Sequence, residues 1–320
     1  MYGMKNIFDC HNHCQFSFDG KRTTVEESAR AARAMGLGGI AFTDHYDMFV
    51  PHSPEEDEPA SAQTFDIPGQ QEEIDRVQAL FGDSLKILKG IELGMNENSR
   101  KEMLEVMSRH SFDQVIASVH YLEDSDPYYG TYFGGKDWKQ AYGKYLETIY
   151  TEMTVLGDFD IVGHYDYVAR YAPYPQDGIF YRDFSDIFDS MFRYLIENGK
   201  GFEINTKSCK GGHGRKTSLD KDLLLRYREM GGEIITLGSD SHDADKVAED
   251  FQAHASLLRS LGFRWTSHYE KRQLVQLPLY PCFTYEKVTI RISDISTVCN
   301  HRISCIRHKN YDHSSRARCR

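Results

Sequence analysis

Long apolar runs are missing from this chain. None approaches the ~18 residues needed to cross a membrane, and the mean hydropathy is -0.56. The opening Met-Tyr-Gly-Met-Lys-Asn-Ile-Phe-Asp has no apolar core after its lysine, so it does not read as a secretion signal. The two absences lead us to expect a soluble cytoplasmic protein without a membrane partner. Positive charge is also short: 38 Lys and Arg stand against 48 Asp and Glu, for a net charge of -10. That balance argues against a nucleic-acid partner, because basic surface supplies most of such affinity. Cysteine is scarce and odd in number, seven in 320 residues, with four after residue 280. No disulfide framework is expected in the body. There is no internal repeat and no low-complexity stretch.

What is there is strand followed by helix, many times over. Short apolar strands are expected at Ile7 to Cys10, Gly39 to Thr43, Leu85 to Ile91, Val115 to Val119, Asp160 to Gly163, Gly201 to Asn205 and Glu233 to Gly238. Helices are expected at Val25 to Met35, Pro68 to Phe81, Glu97 to Arg109, Trp138 to Leu156, Asp183 to Glu197, Leu219 to Met230 and Lys246 to Leu261. Thr24 and Glu27 form a capping box for the first helix, and Ser218 is the expected cap of Leu219 to Met230. A polar loop from Met48 to Phe65 is long enough to act as a lid, and an aromatic loop runs from Tyr121 to Asp137. Such alternation implies parallel strands joined by crossovers. Seven strands, each ending in a polar candidate, fit a TIM-like (β/α)7 barrel better than an open sheet. In barrels the site is assembled from many strand ends at the C-terminal face.

The expected domain covers residues 1–279. The segment 280–320 differs in kind, with eight Lys/Arg against three Asp/Glu, a net +5 that leaves -15 for the rest. We expect this tail to be peripheral and partly disordered. A small zinc site from its Cys and His residues fits no established spacing.

The strand ends carry the chemistry. His11 and His13 follow the first strand, and Asp240 and His242 follow the last. Residues two apart in an extended chain point the same way, so each pair aims at one point. Between them come Asp19, Asp44, His45, Glu92, His120, His164 and Glu203. Imidazoles with a few carboxylates are ligands for zinc, manganese or iron. One catalytic zinc takes about three protein ligands, so this set implies two or three divalent ions. Asp44 is expected to orient His45 rather than to bind metal. His213 lies in a basic glycine-rich loop suited to substrate. His52, His110, His254 and His268 are expected to be structural or solvated.

Taken in order, His11-x-His13, Thr43-Asp44-His45, Gly90-Ile91-Glu92, Ser118-Val119-His120, Gly163-His164 and Ser239-Asp240-x-His242 resemble the motifs of the PHP (polymerase and histidinol phosphatase) superfamily. The stretches 11–20, 118–121 and 163–170, with the aromatic loop, resemble its histidinol-phosphatase branch. The resemblance implies a distorted (β/α)7 barrel with a trinuclear centre. His11, His13, Glu92 and Asp240 would hold one ion. Glu92 would bridge to a second, held by His120 and His164, and Asp19, His45 and His242 would hold the third. Many relatives have His where Asp19 stands, which leaves metal identity open. The implied activity is hydrolysis of L-histidinol phosphate in histidine biosynthesis, with a metal-bridging hydroxide as nucleophile. Asp240, His242 and Glu203 are the expected catalytic residues, and Arg170, Lys207 and His213 the expected substrate or phosphate contacts. Glu203, or a carboxylate of the Tyr121 to Asp126 loop, would receive the cationic end of the substrate; a salt-bridged interior place is the other reading of Glu203. The alternatives are a phosphoesterase for nucleotides or nucleic-acid ends, and a metal-binding module without catalysis.

Overall fold

Seven strands run parallel, side by side in sequence order: Phe8–Asp9, Gly39–Phe42, Lys86–Gly94, Gln114–Ser118, Ile161–Val162, Gly201–Asn205 and Ile235–Gly238. The computed structural model describes residues 4–51, 61–209 and 216–279. The elements are β1 (Phe8–Asp9), α1 (Val25–Ala34), β2 (Gly39–Phe42), β3 (His45–Val50), β4 (Ser61–Gln63), α2 (Ile67–Phe81), β5 (Lys86–Gly94), α3 (Arg100–Arg109), β6 (Gln114–Ser118), α4 (Trp138–Leu156), β7 (Ile161–Val162), α5 (Tyr167–Tyr171), α6 (Ser185–Glu197), β8 (Gly201–Asn205), α7 (Lys221–Glu229), β9 (Ile235–Gly238), α8 (Phe251–Ser260), β10 (Trp265–Glu270) and β11 (Gln273–Pro278). Short 3-10 turns link several of them.

Every residue of β2, β6, β8 and β9 is buried. Strands covered on both faces read as continuous apolar runs, which is why they stand out in the sequence. The sheet closes on itself. Cys10 N donates to Leu237 O at 2.9 Å, Asp240 N to His11 O at 2.8 Å, and Asn12 bridges Ser241 in parallel. The fold is therefore the expected α/β class, a distorted (β/α)7 barrel. The hairpin β10–β11 packs against the opposite end, where Asn6 Nδ2 donates to Pro278 O at 3.1 Å and Cys10 Sγ to Ser267 O at 3.5 Å.

Local chemistry sets the helix limits. The Thr24–Glu27 capping box is present, and Asp137 and Gln140 make a second one for α4. Three of the starts that differ from expectation have a visible cause. Asn96 opens α3 late, because its side chain accepts from Asn98 N at 2.8 Å and favours a turn over a helix. Asp220, not Ser218, caps α7; Ser218 Oγ instead donates to Asp177 Oδ2 at 2.6 Å. The helix expected from Lys246 begins at Phe251, since Ala248 and Asp250 have φ of 56° and 62°. Two edges of the expected Met48 to Phe65 loop are strands: β3 lies parallel to β5, and β4 antiparallel to β3. Residues 52–60 of that loop, His52 with them, lie outside the described residues, as do His213 and the 280–320 tail.

Candidate metal centre

The strand ends deliver their side chains to one mouth of the barrel, and Glu92 stands in the middle. Its Oε2 lies 3.1 Å from His11 Nε2, 3.5 Å from His13 Nε2 and 3.0 Å from His45 Nδ1. Its Oε1 lies 3.2 Å from His120 Nε2 and 3.0 Å from His164 Nε2. Asp240 Oδ1 is 3.5 Å from His13 Nε2. Asp19 Oδ2 is 2.8 Å from His242 Nε2 and 3.7 Å from His45 Nε2. Thus all nine expected ligands, His11, His13, Asp19, His45, Glu92, His120, His164, Asp240 and His242, meet in one cluster.

Several of these atoms are buried without a hydrogen-bond partner: His11 Nε2, both ring nitrogens of His13, His45 Nδ1 and Glu92 Oε2. Unpaired buried polar atoms cost about 1–3 kcal/mol each. His11 Nε2, His13 Nε2 and Glu92 Oε2 lie at contact distance without hydrogen-bond alignment, which is what lone pairs converging on a third point produce. Four sets have ligand atoms within 4.8 Å of one another: His13, Asp19, His45 and His242; His11, His13 and Asp240; His11, Glu92 and His164; His45, Glu92 and His120. The donor set fits divalent transition metals. Among the described residues no thiol joins these sets. Cys14 Sγ instead donates to Asp44 Oδ2 at 3.0 Å.

The electrostatics are those of a charged nest. Burial would raise Glu92, but His11, His120 and His45 hold it well below the usual carboxylate range. Burial, with His45 and His242 nearby, holds His13 well below the usual imidazole range, which favours the neutral ring. Asp240 adopts a left-handed backbone, φ 50°, a conformation Asp tolerates better than most residues.

Behind the ligands stand residues that aim them. Glu203 is expected either to act on substrate or to be a salt-bridged interior residue, and its contacts are those of the second. Its Oε1 is 2.7 Å from His11 Nδ1, and its Oε2 accepts from His164 N at 2.8 Å. It is 1% exposed and orients His11 instead of facing the cavity. Gly238 makes room for it: a Cβ there would collide with Glu203 Oε1 and stand 2.6 Å from His11 Cβ. Asp44 does not orient His45 either. It accepts from Cys14 N and from Gln70 Nε2, both at 2.7 Å, and so fixes the 14–17 turn. Asp47, which the sequence reading passed over, takes that place. Its Oδ1 is 2.9 Å from His120 Nδ1 and its Oδ2 3.5 Å from His45 Nδ1. The signal was available: Asp47 is two residues after His45 and shares its face if the chain is extended there.

Above the cluster opens a cavity of about 910 Å³. Tyr121, Tyr128, Tyr129, Tyr167 and Tyr171 form one wall, and Asp126 lies among them. Burial pushes the Asp126 carboxyl up to about 6. Arg170 and Lys207 reach the same cavity. Arg170 donates from Nε to Ser208 Oγ at 2.9 Å and from Nη1 to Asp240 Oδ2 at 3.1 Å, while its buried Nη2 has no partner. Lys207 Nζ is 3.1 Å from Asp240 Oδ1. His254 and His268 lie away from the cluster, the latter stacked on Phe8 with centroids 3.6 Å apart.

A parallel barrel with a carboxylate-bridged histidine cluster at its C-terminal mouth defines a class, the barrels built to hold transition metals. Within that class the chain belongs to the PHP domain family, whose model matches residues 9–207. It is 32% identical to the histidinol-phosphatase of Lactococcus lactis over 81% of this chain and 93% of that protein. It is 30% identical to the "Probable histidinol-phosphatase" of Clostridium acetobutylicum, over 83% of this chain and 98% of that one. The crystal structure of the Lactococcus lactis histidinol phosphate phosphatase, complexed with zinc, L-histidinol and phosphate, superposes with a TM-score of 0.76. It is 29% identical and covers 84% of this chain and 99% of its own. A structure from Listeria monocytogenes, 20% identical with a TM-score of 0.61 over 77% of this chain and 99% of its own, shares the fold. No helix among the described residues is long and apolar enough to cross a membrane.

Proposed function

We propose that this chain is a metal-dependent phosphatase that hydrolyses L-histidinol phosphate to L-histidinol and phosphate, a step of histidine biosynthesis in the cytoplasm. The observation that carries the reading is the Lactococcus structure holding zinc, L-histidinol and phosphate, 29% identical over 99% of its length. Three ions fit the cluster: one at His11, His13, Glu92 and Asp240, one at Glu92, His120 and His164, and one at Asp19, His45 and His242. Bound there, divalent ions supply an activated water and offset charge on the phosphoryl oxygens.

The remaining work falls to the protein's own groups. Arg170 offers its unpaired Nη2 to a phosphate oxygen, and Lys207 adds a second cation at the rim. The tyrosine wall takes the flat imidazole ring of the leaving group, and Asp126 faces its ammonium. Glu203 keeps His11 in one tautomer, so that Nε2 stays free. Asp240 is held by Arg170, Lys207 and Asn205, which leaves it ionised at neutral pH.

Phosphate release from L-histidinol phosphate, an aryl phosphate and a nucleotide, each with zinc, manganese or iron, tests the reading. A kcat/KM at least ~100-fold higher for histidinol phosphate requires ~2.7 kcal/mol of specific transition-state binding. Equal slow release from all three would keep a metal phosphoesterase and remove this substrate. No release from any would leave a metal-binding module.

A further inference from the structure

We infer that Asp47 is a positioning residue shared by two ligands, holding the Nδ1 edges of His120 and His45 so that both rings present Nε2 to the metals. The inference rests on the reading that the cluster binds ions. Asp47 is 1% exposed, and its ion-pair contacts among the described residues are with these two imidazoles. A buried carboxylate is costly unless N–H groups face it. Two imidazoles satisfy it only as Nδ1–H tautomers, which leaves the Nε2 lone pairs for metal. His120 Nδ1 already sits 2.9 Å from Oδ1. His45 Nδ1 and Asp47 Oδ2 are 3.5 Å apart, both buried, and neither has a hydrogen-bond partner; Glu92 Oε2 lies 3.0 Å from the same nitrogen, and once Glu92 is engaged by metal, Asp47 is the carboxylate left to take this N–H.

The assignment resolves an ambiguity. His45 falls into two ligand sets, one with His13, Asp19 and His242 and one with Glu92 and His120. With Nδ1–H on Asp47, only Nε2 remains, and His45 joins the first set. The backbone has been shaped for this carboxylate. Asp47 pairs with Gly94 in the β3–β5 register, and a Cβ at Gly94 would collide with Asp47 Oδ1. A glycine inside a strand marks such a close approach.

Asp47→Asn keeps the volume but has one acceptor where two are needed. Gly94→Ala displaces the carboxylate without touching any ligand. The test is zinc content of the full chain after dialysis against graded chelator, with the melting temperature of the metal-free protein as second readout. Both variants are expected to lose about ten- to a hundredfold in affinity for at least one ion, with little change in metal-free melting for Asp47→Asn. If Asp47→Asn fails to fold, Gly94→Ala decides. Zinc held as tightly as in the wild type by the folded variants overturns the inference, as does a lower melting temperature with unchanged zinc affinity. Less than one ion in the wild-type chain overturns the metal reading itself.

Discussion

Arg170 gives the sharpest test of how the site grips its anion. The guanidinium is buried and makes two bonds to protein, to Ser208 Oγ at 2.9 Å and Asp240 Oδ2 at 3.1 Å. Its Nη2 has none. A buried donor left unpaired is a standing cost that an incoming phosphate oxygen removes. A hydrogen bond to a charged group contributes about 1.5–3 kcal/mol. At about 1.36 kcal/mol per tenfold, that is roughly ten- to 150-fold. Arg170→Lys keeps the charge but loses the fork, so it cannot reach Ser208, Asp240 and phosphate together. We expect it to weaken competitive inhibition by inorganic phosphate by that factor and to lower kcat/KM in parallel. Arg170→Ala should do more, because it also strips a partner from Asp240. Metal content must be measured beside the kinetics, since lost ions would mimic lost phosphate contact. A phosphate inhibition constant within twofold of wild type, in an Arg170→Lys protein with its full ion content, would refute the reasoning.

Asp126 predicts a pH dependence with opposed signs. Its folded carboxyl titrates at about 6, above the ordinary 3.8, because burial penalises the charge. Ionised Asp126 therefore costs stability above pH 6, and the cost is relieved as pH falls through 6 towards the unfolded value. Binding of a cationic leaving group should instead weaken over that range. KM for histidinol phosphate should rise more steeply below pH 6 in the wild type than in Asp126→Asn, whose KM is already high; the difference between the two profiles reports Asp126, since the substrate's phosphate and imidazole titrate in the same window for both, and identical profiles remove Asp126 from the subsite. Tyr145 OH donates to Val119 O at 3.0 Å, with His164 O at 3.3 Å. Tyr145→Phe leaves a buried carbonyl short of a donor, which costs about 1–3 kcal/mol and lowers Tm by about 2–6 °C in calorimetry. Stripping the ions by chelation should abolish phosphate release and lower Tm, since ions at a hundred times their dissociation constant stabilise the folded chain by about 2.7 kcal/mol each; an unchanged Tm would speak against structural coupling.

The seven barrel strands were legible because strands buried on both faces are mostly apolar, with most of their polar residues at their ends. The ligands were legible because His11-x-His13 and Asp240-x-His242 have the period of an extended chain. Other features lie below that signal. β3 reads His-Tyr-Asp-Met-Phe-Val without clean alternation, and Phe49 breaks it with φ 57°; Asp47 was lost with the strand. The β10–β11 turn is Lys271-Arg272, both left-handed at φ 50° and 63°, in a two-residue hairpin where Asn-Gly is the usual signal. Tertiary contacts hold it: Lys271 N donates to Asp113 Oδ1 at 2.9 Å and Arg272 Nη2 to Asp158 Oδ1 at 2.8 Å. Glu203 has two readings in the sequence, because a carboxylate facing substrate and one facing the back of a histidine look alike there.

The ligands and the barrel seam are the same structure. β1 supplies His11 and His13, β9 supplies Asp240 and His242, and the chain between them spans more than 200 residues. The seam hydrogen bonds alternate with the ligands: Asp240 N to His11 O and His13 N to Ser241 O, both at 2.8 Å. Asp9 pins the same edge, accepting from Ser239 N at 2.9 Å and Ala248 N at 2.8 Å. A metal held by His11, His13, Glu92 and Asp240 would therefore bond to both ends of the barrel, and an opened seam would take Asp240 from it. Binding that exists only in the closed state stabilises closure by the same free energy. The strand ends are placed by the seam, and ions bound as proposed would in turn hold the seam shut, so that catalytic geometry and barrel integrity would depend on one set of side chains.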